Sequence, residues 1–173
     1  MSRSYFWIAL FGSLILVALG IVFLLTQSQE VPFTVIEEGI SLVAPDQASQ
    51  QSSEPLLLIL AGVEDVQRIN PWGFPESLAE KISQVDFQKS FVILVLRSNA
   101  GGGLVNRLTR RGNEIEITTT DLVVGPGSYV LEGWTQPYEV IRVDKAAGWG
   151  REMCFVLMRE TQGAAAETTH FIP

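Results

Sequence analysis

Phe91-Val92-Ile93-Leu94-Val95-Leu96 is the stretch on which the fold turns. It holds no polar side chain to meet water on either face, and a continuous apolar run of this length predicts a central strand covered on both sides. Strand geometry puts Phe91, Ile93 and Val95 on one face and Val92, Leu94 and Leu96 on the other. Leu56-Leu57-Leu58-Ile59-Leu60, bounded by Pro55 and Gly62, is too short for a buried helix and reads the same way. Tyr138–Val143 is the third strand expected in that buried sheet.

Working outward, Val31–Ile36 reads as a first strand, ended by Glu37-Glu38-Gly39. Asp46–Glu54 is a low-complexity polar loop. Two short helices should follow Leu60. Val63, Val66 and Ile69 recur at three-residue spacing before Asn70-Pro71, and Leu78, Ile82 and Val85 mark a second helix with a Ser77/Glu80 capping box. Val105–Arg110 and Glu114–Thr119 flank Arg111-Gly112-Asn113, a hairpin turn, and Ile115 and Ile117 alternate with Glu114 and Glu116 to give one dry and one wet face. Ser128–Gly133 and Glu152–Arg159 supply further strands, and Gly163–Thr169 looks like a small-residue tail. With the helices clustered early, the fold class expected is α+β, a small and largely antiparallel β-sheet domain with one or two short helices.

The other long apolar run lies at the N-terminus. Tyr5–Leu25 is 21 residues without a charge. As a helix it is about 31 Å long, which matches a bilayer's hydrocarbon core. It exceeds a signal peptide's apolar core, and Thr26-Gln27-Ser28-Gln29 offers no Ala-x-Ala cleavage site. Arg3 precedes the run and the next basic residue is Arg68, so the positive-inside rule places the N-terminus in the cytoplasm and the domain outside the cytoplasmic membrane. The expected organisation is a cytoplasmic tip (1–4), a transmembrane helix (5–25), a polar stalk with an early strand (26–54), a globular domain (55–160) and a flexible C-terminal tail (161–173).

The chain carries 12 basic and 19 acidic residues. Without Arg3 the remainder is 11 against 19, a charge of −8. Such a domain repels phosphate backbones, which argues against nucleic acid as a partner. Catalytic signals are sparse. The lone His170 sits beside the expected tail, and a Ser-His-Asp or Cys-His system needs its histidine held rigidly. One Cys and one His, 16 positions apart, make no zinc cluster, and Cys154 in an apolar strand reads as a small buried hydrophobe. Asn99–Gly103 lacks the Lys-Ser/Thr of a phosphate loop. No catalytic residue, metal ligand or cofactor site is expected.

Val85-Asp86-Phe87-Gln88-Lys89-Ser90-Phe91-Val92-Ile93-Leu94-Val95, then Gly101-Gly102-Gly103, the charged hairpin, and Thr135-Gln136-Pro137-Tyr138-Glu139-Val140-Ile141 follow in an order that resembles the PrcB C-terminal domain family. The resemblance covers roughly residues 85–145. That family is named for a non-catalytic subunit of a bacterial surface protease complex, so the resemblance implies a small extracytoplasmic α+β binding or assembly module. The chain departs from the family at Gly103-Leu104, where Gly-Tyr is frequent, and in its apolar helix, where many members carry a lipid.

The function expected is a non-enzymatic, membrane-anchored, extracytoplasmic interaction module, an accessory subunit of a larger complex with a protein partner. Trp72, Phe74 and Trp149 are candidate aromatic contacts, Trp149 above all because Gly148 and Gly150 leave it little local cover. Arg107, Arg110 and Arg111 around the hairpin are candidate contacts to an acidic surface. Two alternatives stand beside this one. The first is a small-ligand-binding domain with a pocket between sheet and helices. The second is a single-helix subunit of a bioenergetic or photosynthetic complex, with Gly12 and Gly20 on a helix–helix contact.

Overall fold

The computed structural model describes residues 27–42, 56–96, 105–120, 135–146, 149–159 and 163–173. In chain order these form β1 (Gln29–Glu30), β2 (Phe33–Leu42), β3 (Leu56–Leu60), a 3-10 helix (Val63–Trp72) and α1 (Glu76–Ser83). β4 (Ser90–Leu96), β5 (Val105–Arg111), β6 (Glu114–Thr119), β7 (Thr135–Asp144), β8 (Arg151–Arg159) and β9 (Gly163–Ile172) follow. Sheet A has the order β1-β5-β6-β8-β9 and sheet B the order β2-β7-β4-β3. Every pairing is antiparallel except that of β6 with β8.

The central apolar run behaves as its composition dictates. β4 is buried along its whole length and pairs with β3 on one side and β7 on the other, so the three strands do share one sheet. Phe91, Ile93 and Val95 face sheet A and join Leu108, Ile115, Ile117, Phe155 and Leu157 in a core between the sheets. Val92, Leu94 and Leu96 point to the opposite side, where Ile69 of the 3-10 helix and Leu78 and Ile82 of α1 cover them. The layers are therefore helices, sheet B and sheet A. The sandwich is closed at both edges. On one side the chain switches sheets between β1 and β2 at Val31-Pro32, with the Val31 N–H donating to the Leu108 carbonyl at 2.9 Å. On the other side β9 lies against β3.

The α+β expectation is corrected. This is a mostly β protein, two face-to-face sheets with two short helices on the outside of one. The excess of strand comes from segments whose composition hides it. Gly163–Ile172 is no tail but a strand paired with β8 from Arg151 to Arg159, because main-chain bonding to a committed neighbour outweighs the weak strand preference of Ala and Gly. The early strand expected at Val31–Ile36 is present but runs Phe33–Leu42, past Glu37-Glu38-Gly39, as an edge strand on β7 with a bulge between Val35 and Glu37. The first helix is 3-10 and runs through Pro71 to Gly73, whose φ of 65° ends it. α1 starts at Glu76 behind Pro75, without the Ser77 cap.

The expected transmembrane helix (5–25), the loop Asp46–Glu54, the glycine turn Asn99–Gly103 and the strand Ser128–Gly133 lie outside the described residues. Among the described residues no helix is long and apolar enough to cross a membrane.

Candidate functional site

An open groove of about 820 Å³ lies where α1 ends and the chain turns into β4. Local sequence builds its floor. Asp86 organises the turn, its carboxylate accepting the Gln88 N–H at 3.1 Å while its carbonyl takes the N–H groups of Lys89 and Ser90 at 3.0 and 2.9 Å. Antiparallel pairing then sets Ser90, the first residue of β4, opposite Asp144, the last of β7. The Ser90 hydroxyl donates to Asp144 Oδ1 at 2.9 Å, and the Lys145 N–H donates to the Lys89 carbonyl at 2.7 Å.

This register, with the end of α1, gathers four cations, Lys81, Lys89, Arg142 and Lys145, against two acids, Asp86 and Asp144, in the groove's lining. The lining is thus positive on a strongly acidic domain. Lys81 Nζ is 2.6 Å from Glu37 Oε2 of the edge strand, and Lys89 Nζ is 3.3 Å from Asp86 Oδ2. The Lys89 hydrogen bond, with help from the Gln88 N–H, holds the Asp86 carboxyl below its ordinary pKa. Lys145 Nζ donates to the Phe87 carbonyl at 2.7 Å, and burial lowers its pKa against the opposing pull of Asp86. Arg142 Nε lies 3.5 Å from Asp144 Oδ1 and is itself buried without a hydrogen bond, while 43% of the side chain is exposed. Cations held by neutral carbonyls or at long range have capacity left for an incoming carboxylate.

The residues singled out from sequence fall elsewhere. Trp149 is 3% exposed, so its expected role as an exposed contact is corrected. It plugs the inter-sheet core against Phe91, ring centroids 5.1 Å apart. Glycine neighbours did not leave it uncovered because the chain folds it inward between the sheets. Arg110 is half-buried over it, its guanidinium 4.7 Å above the Trp149 ring and its Nε donating to the Gly112 carbonyl at 3.1 Å. Burial, then the charge of Arg151, lowers its pKa. Arg107 and Arg111 are exposed on sheet A. Trp72 and Phe74 are half-buried against the helix-side core, Phe74 edge-on to Tyr138 at 4.9 Å. Gly12 and Gly20 lie outside the described residues.

His170 sits in β9, not on a loose tail, with Nε2 3.6 Å from Asp65 Oδ2. Asp65 is already occupied by the N–H groups of Ala61 and Gly62 and by Arg68, an arrangement that ties β9 to the start of the 3-10 helix. Cys154 is half-buried on the outer face of sheet A rather than in the core, and its thiol donates to Glu167 Oε1 at 3.3 Å. Burial and that acceptor raise its pKa, which keeps it protonated and weakly nucleophilic. Among the described residues no three His, Cys, Asp or Glu side chains converge as metal ligands.

The groove was not legible in the sequence. Lys89 and Lys145 are far apart along the chain, and only the β4–β7 register joins them. A signal existed nonetheless, since Lys89 immediately precedes one strand and Lys145 immediately follows its antiparallel partner. No family model, curated protein or solved structure matches this chain.

Proposed function

We propose that this chain is a non-enzymatic interaction module, anchored by Tyr5–Leu25 with its domain on the outer face of the cytoplasmic membrane, and that its groove receives an acidic segment of a protein partner. The groove carries this reading. Four cations line an open trough on a domain of opposite charge, and an open trough suits a peptide better than an enclosed pocket suits a metabolite. The resemblance of residues 85–145 to the PrcB C-terminal domain family points the same way, toward an assembly role.

The test uses the full-length chain purified in mild detergent beside Lys89→Glu/Arg142→Glu, with unchanged circular dichroism as the check on folding. The wild type should retain a stoichiometric partner that the variant loses. Equal retention by both overturns the groove. Protease added to intact spheroplasts should digest the domain, and its survival there overturns the topology.

A further inference from the structure

The register of β1 fixes where the apolar segment joins the domain. Gln29 pairs with Arg110, one residue before the end of β5, so the chain enters sheet A at its hairpin end. Only Thr26, Gln27 and Ser28 separate Leu25 from Gln29. Four peptide steps span at most about 14 Å. The Gln29–Arg110 row continues through Ile115 and Phe155 to Thr168. Phe171 lies three residues beyond Thr168 toward the same end, about 10 Å along the strand. The tip of sheet A therefore reaches back over most of the link. A headgroup layer is about 5–8 Å deep on each side of the hydrocarbon.

What the tip presents suits that layer. Phe171 is 58% exposed, one of the few large apolar side chains in solvent among the described residues. At the same end of sheet A Arg111, Gly112, Asn113 and Arg151 are exposed, as are the acids Glu114 and Glu152, the latter the cross-strand partner of Phe171. Exposed aromatics and arginines at one end of a domain suit a membrane–water interface, where a ring sits among headgroups and a guanidinium meets phosphate.

We infer that the hairpin end of the sandwich rests on the bilayer that holds the apolar segment, with Phe171 in the headgroup layer and Arg111 and Arg151 against lipid phosphates. This rests on the anchored reading given above. It adds an orientation, in which the strands of sheet A stand on the membrane and the start of β5 points away from it.

The experiment uses the full-length chain in phosphatidylcholine nanodiscs that contain a headgroup nitroxide lipid. On a Cys154→Ala background, one fluorophore is placed at Asn113→Cys at the hairpin tip, or at Asn106→Cys near the far end of the same strand. The tip label should be quenched several-fold more than the distal one, and Phe171→Asp with Arg111→Glu should remove the difference. Equal quenching at the two positions in the parent overturns the inference while leaving the anchor intact. A chain that does not co-elute with the nanodiscs overturns the anchor, and the orientation with it.

Discussion

Replacing Trp149 should expose how much of the domain hangs on the plug at its hairpin end. The indole is almost fully enclosed, stacked at a tilt on Phe91 and covered by the Arg110 guanidinium. Trp149→Ala removes a large buried side chain and leaves Arg110 over a void, which should cost about 3–5 kcal/mol. That is a large share of the roughly 5–15 kcal/mol that holds a single domain together. Trp149→Phe should cost under about 1.5 kcal/mol, since the ring is kept while the buried indole Nε1, which has no hydrogen-bond partner, is removed. Arg110→Met retains the apolar stem and deletes the charge. In a double-mutant cycle with Trp149→Leu, a half-buried cation over an indole should couple by about 1 kcal/mol. Urea unfolding of residues 27–173, followed by circular dichroism at constant m-value, reads all five variants, the double mutant included. A Trp149→Ala variant within about 0.5 kcal/mol of wild type would mean a surface side chain and return Trp149 to the list of docking residues.

Three further outcomes follow from the same packing. Leu94→Ala, on the helix-facing side of β4, should lose about 2–5 kcal/mol, whereas Glu116→Ala on the solvent side of sheet A should stay within about 0.5 kcal/mol; equal thermal shifts would refute the assignment of faces. Glu139 is 2% exposed and accepts the Val105 N–H at 2.7 Å, pinning the start of β5 to sheet B; Glu139→Leu should be worse than Glu139→Gln by about 1–3 kcal/mol in equilibrium unfolding, because only the amide can still accept that bond. Burial, followed by the charge and hydrogen bond of Glu37, pushes the Tyr138 hydroxyl up to about 12. The folded state thus keeps a proton that the unfolded state releases near pH 10, so this contribution is fully present below pH 10 and fades as pH rises toward 12. Tyr138→Phe should flatten the loss of stability across that window, and an unchanged pH profile would refute the shift.

Apolar runs told the truth about sheet B because both of its faces are covered. In Phe91–Leu96 every residue has somewhere dry to go, so the composition needed no partner information to be read. The alternation in Glu114–Thr119 was equally legible, with Ile115 and Ile117 in the core and Glu114 in water. Met153–Met158 misled at Cys154, which its apolar neighbours make look like a buried hydrophobe. Met153, Phe155 and Leu157 do face the core, while Cys154, Val156 and Met158 lie half-covered on the outer face of sheet A. β9 was invisible for the opposite reason. Its small and polar residues carry little strand signal, and its conformation is set by the ladder to β8 and by the His170–Asp65 contact across to the helix side. Trp149 shows the limit of local cover as an argument, since what covers it is Phe91 and Arg110, both remote in sequence.

The groove and the hairpin end are related by Phe91. That residue follows Lys89 and Ser90 at the groove's edge, and its ring touches both Trp149 and Phe155, which belong to the hairpin end of the sandwich. If the hairpin tip rests on the bilayer, the cations of the groove open beside the membrane rather than at the top of the domain. The acidic segment they receive is then expected close to a membrane span of the partner, within about a Debye length of the surface, where a free peptide from solution would be at no advantage. A synthetic acidic peptide should accordingly bind weakly and with strong salt dependence. The same sequence fused to a transmembrane segment in the same nanodisc should bind far more tightly, through effective concentration alone. Equal affinity in the two formats would separate the groove from the membrane and remove the reason for placing them at one end of the fold.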